Sequence, residues 1–155
     1  PRGGGAPGGR VCKATEPTNT RASTAIAKGD GRAGARIAGS QAARRRPDLI
    51  PLCHQLNIGS VYVNFLIGDS DVEIEVTVET VDRTGVEMEA MTACSVAALT
   101  SYDMVKSTGR SVFLSELALS EKAGGRNGLW RRTDPARPPD GHSVGLAGVT
   151  LDDVE

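Results

Sequence analysis

SVYVNFLIGDSDVEIEVTVET, residues 60–80, is two alternating runs around a turn. Val61, Val63, Phe65 and Ile67 recur with period two, and Val72, Ile74, Val76 and Val78 do the same. Successive side chains on a strand point to opposite faces, so each run gathers apolar groups on one side. Glu73, Glu75, Thr77 and Glu79 fall on the other side. That side is either a solvated face or a sheet–sheet contact in an oligomer. Gly68-Asp69-Ser70-Asp71 is turn chemistry between the runs. The stretch therefore predicts a β-hairpin with one buried face.

The flanking segments extend this pattern. Asp82-Arg-Thr-Gly85 punctuates the chain, and residues 86–107 follow without Gly or Pro, rich in Ala, Met and Leu, predicting a long helix. Residues 111–119 predict a strand through Val112, Leu114, Leu117 and Leu119. Upstream, Ala33, Ile37, Ala38 and Gln41-Ala42 recur at helical spacing. A helix over 33–46 is expected, with Arg44–Arg46 complementing its C-terminal dipole and Pro47 ending it. The order helix, hairpin, helix, strand predicts an α+β fold, an antiparallel sheet with helices packed on one face.

The ends differ in composition. Pro1, Pro7, Pro17, Pro135, Pro138 and Pro139 are six of the eight prolines. Residues 1–27 and 131–155 offer little apolar surface against ordering entropy and are expected to be poorly ordered around one domain, 28–130. A chain of 155 residues allows one domain. A formal net charge of −1 gives no field for nucleic acid, and 3% aromatic residues leave few stacking surfaces. No apolar run approaches the ~20 residues of a membrane span. Cys12, Cys53 and Cys94 make neither a disulfide framework nor a metal knuckle, which points to a reducing, cytoplasmic compartment. The Arg-, Ser/Thr- and Ala-containing start keeps an organelle open as an alternative.

Four segments could carry chemistry. Leu52-Cys53-His54 follows Pro51, which fixes its backbone approach. His54 is either a surface histidine or a proton shuttle or phosphate donor near neutral pH, and Cys53 is read as packing. Gly85-Val-Glu87-Met88-Glu89 heads the long helix, where acids complement the dipole or accept from the donor edge of a purine- or pterin-like ring. Asp103 and Lys106 are an i,i+3 pair. Thr92–Ser101 before them carries no charge, so the pair is expected to be buried: desolvation would lower the Lys pKa and raise the Asp pKa, against their mutual attraction. Lys122-Ala-Gly124-Gly125-Arg126 sets two cations around bare backbone, either a basic turn or a phosphate cradle, but not a Walker loop. Glu89 and Asp103 lie about 21 Å apart on a continuous helix, too far for one small substrate within one chain. Either the site is shared between subunits, or the Glu87–Glu89 segment lies before the helix bends in.

Together these motifs resemble the cyclic pyranopterin monophosphate synthase family, the MoaC-type enzymes of molybdenum cofactor biosynthesis. The matching residues are Lys28-Gly-Asp, Ala35-Arg-Ile-Ala-Gly39, Asp48-Leu-Ile-Pro-Leu-Cys-His54, Arg83-Thr-Gly-Val-Glu-Met-Glu-Ala90, Ser95-Val-Ala-Ala-Leu-Thr100, Tyr102-Asp-Met, Lys106 and Lys122-Ala-Gly-Gly-Arg-Asn-Gly128. They stand in the family's order over residues 28–130. The resemblance implies a ferredoxin-like fold and a homohexamer built as a trimer of dimers, with the site at a subunit interface. It implies a lyase that converts 3′,8-cyclo-7,8-dihydroguanosine 5′-triphosphate to cyclic pyranopterin monophosphate and pyrophosphate. It implies no radical cofactor; Mg²⁺ is left open as a companion of the triphosphate. Carried over by position, Asp103, Lys106 and Lys28 are catalytic. Leu52, Cys53, His54, Glu87, Met88, Glu89, Lys122 and Arg126 bind substrate.

The sequence departs from the family in four places: Gly31, Arg32 and Gly34 replace mostly apolar or Ala positions and weaken the first helix start, the tail after Trp130 resembles nothing in the family, and two further departures bear on the site and the sheet. Gln55 stands where the family has Pro after the histidine. Before Lys28, Arg21, Ala25 and Ala27 only faintly match the family's strand and helical segment, so part of the sheet edge is expected to be uncovered. The alternative is an inactive or impaired member that binds nucleotide or serves as an oligomeric subunit. A ferredoxin-like RNA-binding module is disfavoured by the aromatic-poor strands.

Overall fold

The computed structural model describes residues 8–17, 29–69, 71–108, 112–114, 116–124 and 128–132, with residues 8–17 known by their backbone alone. The hairpin forms as its sequence demands. Strand β2 (Ile58–Ile67) pairs antiparallel with β3 (Asp71–Thr80), and Gly68 N–H donates to the Asp71 carbonyl at 2.9 Å across the turn. β3 alternates strictly. Val72, Ile74, Val76 and Val78 are fully buried, while the residues between them are partly exposed. Burying each such side chain contributes roughly 1.5–3 kcal/mol. In β2, Val63 is buried and Val61 and Phe65 pack against the core, but Ile67 stays largely exposed near the turn.

Two long helices cover this face. Helix α1 (Gly29–Arg44) starts earlier and ends earlier than the pattern predicts. The chain then makes a short turn of helix, α2 (Arg46–Leu49), with Pro47 in its first turn, where a missing N–H costs nothing. Helix α3 (Glu87–Val105) is one uninterrupted element of 19 residues. Its buried residues Ala90, Ala93, Cys94, Ala97, Ser101 and Val105 recur every three to four positions. The buried Ser101 hydroxyl donates to the Ala97 carbonyl at 2.9 Å, so it is paired inside the helix. At Gly39 α1 approaches the backbone of α3 closely: a Cβ there would sit 3.0 Å from the Ala93 carbonyl oxygen and 3.3 Å from the Ala97 Cβ. The core is alanine-rich because the two helices lie this near each other.

With β1 (Gly8–Pro17), β4 (Glu116–Lys122) and β5 (Trp130–Arg131), the five-stranded sheet has the order β2-β3-β1-β4-β5, every pair antiparallel. This corrects the reading of the N-terminal segment. Gly8–Pro17 is strand β1, held between β3 and β4 in the middle of the sheet, where poor order was expected for 1–27. A central strand draws hydrogen bonds from both neighbours, so its modest apolar content, on which the expectation rested, does not decide its order. A strand before Lys28, which the sequence was expected to lack, is thus present. The remaining N-terminal residues, and the tail from 133 on, lie outside the described residues.

The last strand also shifts. β4 runs Glu116–Lys122, and Trp130–Arg131 (β5) adds a short edge. Ala118 is the buried residue, not Leu117, which is 38% exposed. A register irregularity opposite Val11 and Cys12 changes the pairing, which alternation along one segment cannot reveal. Among the described residues, no helix is long and apolar enough to cross a membrane.

Replacing Gly39 with Val forces the α1–α3 crossing apart. We expect Gly39→Val to lower unfolding free energy by about 1–3 kcal/mol in urea titration. Stability equal to wild type would contradict the close crossing.

Candidate active site

The head of α3 organises one group of residues. Glu89 sits in its first turn, 2% exposed, and meets Arg46 of α2, itself 4% exposed. Arg46 Nε donates to Glu89 Oε1 at 2.7 Å and Nη2 donates to the same oxygen. Nη2 also donates to the His54 carbonyl at 2.8 Å. A buried arginine or glutamate alone would be strongly unfavourable, whereas the hydrogen-bonded pair is tolerated. One guanidinium thereby fastens the Leu52-Cys53-His54 loop to the start of α3.

The far end of the same loop is tied separately. Asn57 N–H donates to Asp82 Oδ2 at 2.7 Å, and Thr80 Oγ1 donates to the Asn57 carbonyl at 2.7 Å. Two residues before the first tie, Leu52 adopts φ 60° with its side chain fully exposed. This left-handed conformation costs a non-glycine residue on the order of 1–3 kcal/mol. A strained, outward Leu held by its surroundings is a feature of binding loops rather than of packing. His54 is exposed, and Cys53 is partly exposed and unpaired.

Glu87 brings in the segment around β4. Lys122 Nζ lies 2.6 Å from Glu87 Oε1, with both side chains partly exposed. Met88, between the two acids, is 41% exposed. So the structure joins Leu52, Cys53, His54, Glu87, Met88, Glu89 and Lys122 at one end of α3. Lys28 and Arg126 lie outside the described residues.

Asp103 and Lys106 form a second group at the other end. Their charges meet at 2.6 Å, with side chains 72% and 58% exposed. This corrects the expectation of a buried pair. Thr92, Ala93, Cys94, Ala97, Ala98 and Ser101 are indeed buried, but after Ser101 only the Tyr102–Val105 side of α3 still meets the core, and Asp103 faces away from it. Lys106 is accordingly not depressed. Its pKa is raised above the ordinary value, first by the hydrogen bond to Asp103 and then by that residue's charge. The ammonium keeps its proton across the physiological range.

Arg46 is the residue that sequence reasoning missed. It stands last in Arg44-Arg45-Arg46, read as dipole complements, and only Arg44 plays that part, donating to Ser40. An arginine followed directly by Pro47 at a helix end was the available signal, yet sequence does not tell which of three arginines turns inward. Among the described residues, no group of three His, Cys, Asp or Glu side chains could hold a metal ion.

Comparison with known proteins agrees with the geometry. The model of the MoaC family matches residues 6–125, a span that takes in β1, both long helices and the two charged groups. The chain belongs to the MoaC family. A cyclic pyranopterin monophosphate synthase of Streptomyces griseus is 53% identical over 113 residues, 73% of this chain and 64% of the relative. Cyclic pyranopterin monophosphate synthase 2 of Mycobacterium tuberculosis is 53% identical over 107 residues, 69% of this chain and 64% of the relative. The synthase of Thermomicrobium roseum is 51% identical over 128 residues, 81% of this chain and 77% of the relative. The chain thus spans 64% of the length of the first two of these MoaC relatives.

The Asp103–Lys106 contact makes a direct prediction. In Asp103→Asn the carboxylate that favours the charged ammonium is gone, so the Lys106 pKa falls toward its ordinary value. Titration of the Lys106 side-chain resonances by NMR reads this. An unchanged midpoint would contradict the pair.

Proposed function

We propose that this MoaC-family chain is a lyase of molybdenum cofactor biosynthesis. Its substrate is 3′,8-cyclo-7,8-dihydroguanosine 5′-triphosphate, and its products are cyclic pyranopterin monophosphate and pyrophosphate. The observation that carries this reading is the pair of charged groups at the two ends of α3, in a chain about half identical to proteins named for that synthase. The Glu87–Glu89 group supplies acceptors for a ring edge of N–H donors. Lys122, with Lys28 and Arg126, balances triphosphate charge. Asp103 and Lys106 exchange protons as the imidazole ring opens and the pterin closes. A ribose hydroxyl attacks the α-phosphorus, the α–β anhydride bond breaks, and pyrophosphate leaves with the charge of the broken bond. Mg²⁺ enters only as the counter-ion of the triphosphate. The cytoplasm is the proposed compartment, in keeping with Cys53, which forms no disulfide among the described residues.

We also propose that the fold is ferredoxin-like and that the active form is a homohexamer, a trimer of dimers. The strand order β2-β3-β1-β4, with a helix after β1 and another after β3, supports the first. The second rests on the separation of the two charged groups, which no bend in α3 relieves. Exposed Leu52, Leu99 and Met104 offer apolar surface for such contacts. The impaired-subunit alternative rested on a missing N-terminal strand, and β1 removes that ground.

Incubation with the cyclised dihydro-GTP is expected to yield pyrophosphate and a pterin in equal amounts. Asp103→Asn is expected to bind the substrate and lose turnover by at least about a hundredfold. Wild-type turnover in that variant would refute the assignment of Asp103.

A further inference from the structure

Arg46 makes an unusual ion pair. A guanidinium facing a carboxylate commonly uses two parallel bonds, one to each oxygen. Here both Nε and Nη2 donate to Oε1 of Glu89, and Nη2 turns its remaining capacity to the His54 carbonyl. Oε2 of Glu89 is buried and has no hydrogen-bond partner among the described residues. Buried polar atoms are rarely left so. A pair built only for stability would use the second oxygen, because leaving it bare weakens the pair. An arrangement that holds one oxygen and leaves the other bare keeps an acceptor ready for an incoming donor.

We propose that Arg46 is a positioning residue of the ring-binding end of the site: it fixes the Glu89 carboxylate through Oε1 so that Oε2 accepts an N–H of the substrate, and it fastens the His54 loop beside it. The proposal rests on the lyase reading above. Arg46 contacts no reacting atom in this account and acts through Glu89 and the His54 backbone. The ammonium of a lysine cannot span both partners as the planar fork does. The Arg46→Lys change therefore keeps a buried cation for Glu89 and loses the link to His54. Loss of a charged hydrogen bond that orders the ring pocket weakens ground-state and transition-state binding alike, so KM rises while kcat holds.

The test is steady-state kinetics of the full chain with the cyclised dihydro-GTP, beside thermal unfolding of each variant. Arg46→Lys is expected to raise KM about tenfold or more with kcat within about threefold. A folded Arg46→Lys with wild-type KM and kcat overturns the proposal. So does a loss of kcat alone in proportion to the folded fraction, which is the mark of a purely structural role. Arg46→Met combined with Glu89→Gln removes both buried charges together and so keeps the fold. Because Arg46 acts partly through Glu89, the double variant is expected to raise KM above that of Glu89→Gln by the share due to the His54 loop, but by less than the product of the two single losses. Losses that multiply in full overturn the proposal. A wild-type protein that forms no pterin overturns the lyase reading, and the proposal with it.

Discussion

Helix α3 cannot bring its own ends together. It spans Glu87–Val105 as one rod of 19 residues, about 28 Å long by helix geometry, with no glycine or proline to bend it. Everything else in the structure is arranged along it. Its inner stripe of Ala90, Ala93, Cys94, Ala97 and Val105 fills the core above β3, and the first and last turns project the charged groups. The helix is rigid because it is buried, and it is buried because its middle carries no charge. The same property that makes the fold stable holds Glu89 and Asp103 apart.

Charge is treated differently at the two ends, and the difference fits their proposed tasks. At the head, Glu89 is enclosed and its direction is set by Arg46, which suits recognition of a ring edge. At the tail, Asp103 and Lys106 stand in the open, paired with each other, which suits a proposed exchange of protons with a ligand. The strained Leu52 belongs to the head, where Arg46 and Asp82 hold its loop at His54 and Asn57. Screening by water is strong for the exposed pair and weak for the buried one. Enclosure of the tail by a second subunit would change that.

Much of this was legible in the sequence. The alternation of Val72, Ile74, Val76 and Val78 specified the hairpin and its buried face, and the unbroken run after Val86 specified the long helix. The candidate residues came from motifs whose order and spacing resemble those of the MoaC family, whose model matches residues 6–125. What was not legible has a common cause. β1 has little apolar character of its own, and its order comes from partners far away in sequence, β3 and β4. The inward turn of Arg46 depends on Glu89, 43 residues away. The face taken by Ala118 depends on an irregularity in the strand opposite. Each is a long-range pairing decided by tertiary structure, which local periodicity does not encode. The exposure of Asp103 was misjudged for a related reason: the uncharged run before it is buried, but burial stops one turn earlier than composition implies.

The central claim is that the head of α3 in one subunit and its tail in another complete one site. Co-expressing His54→Ala subunits with Asp103→Asn subunits, each inactive alone, tests it most directly. If sites form between subunits, random assembly joins an intact head to an intact tail in about a quarter of them, and turnover of the cyclised dihydro-GTP returns to about that fraction of wild type. Mixed oligomers that stay as inactive as their parents would contradict the account.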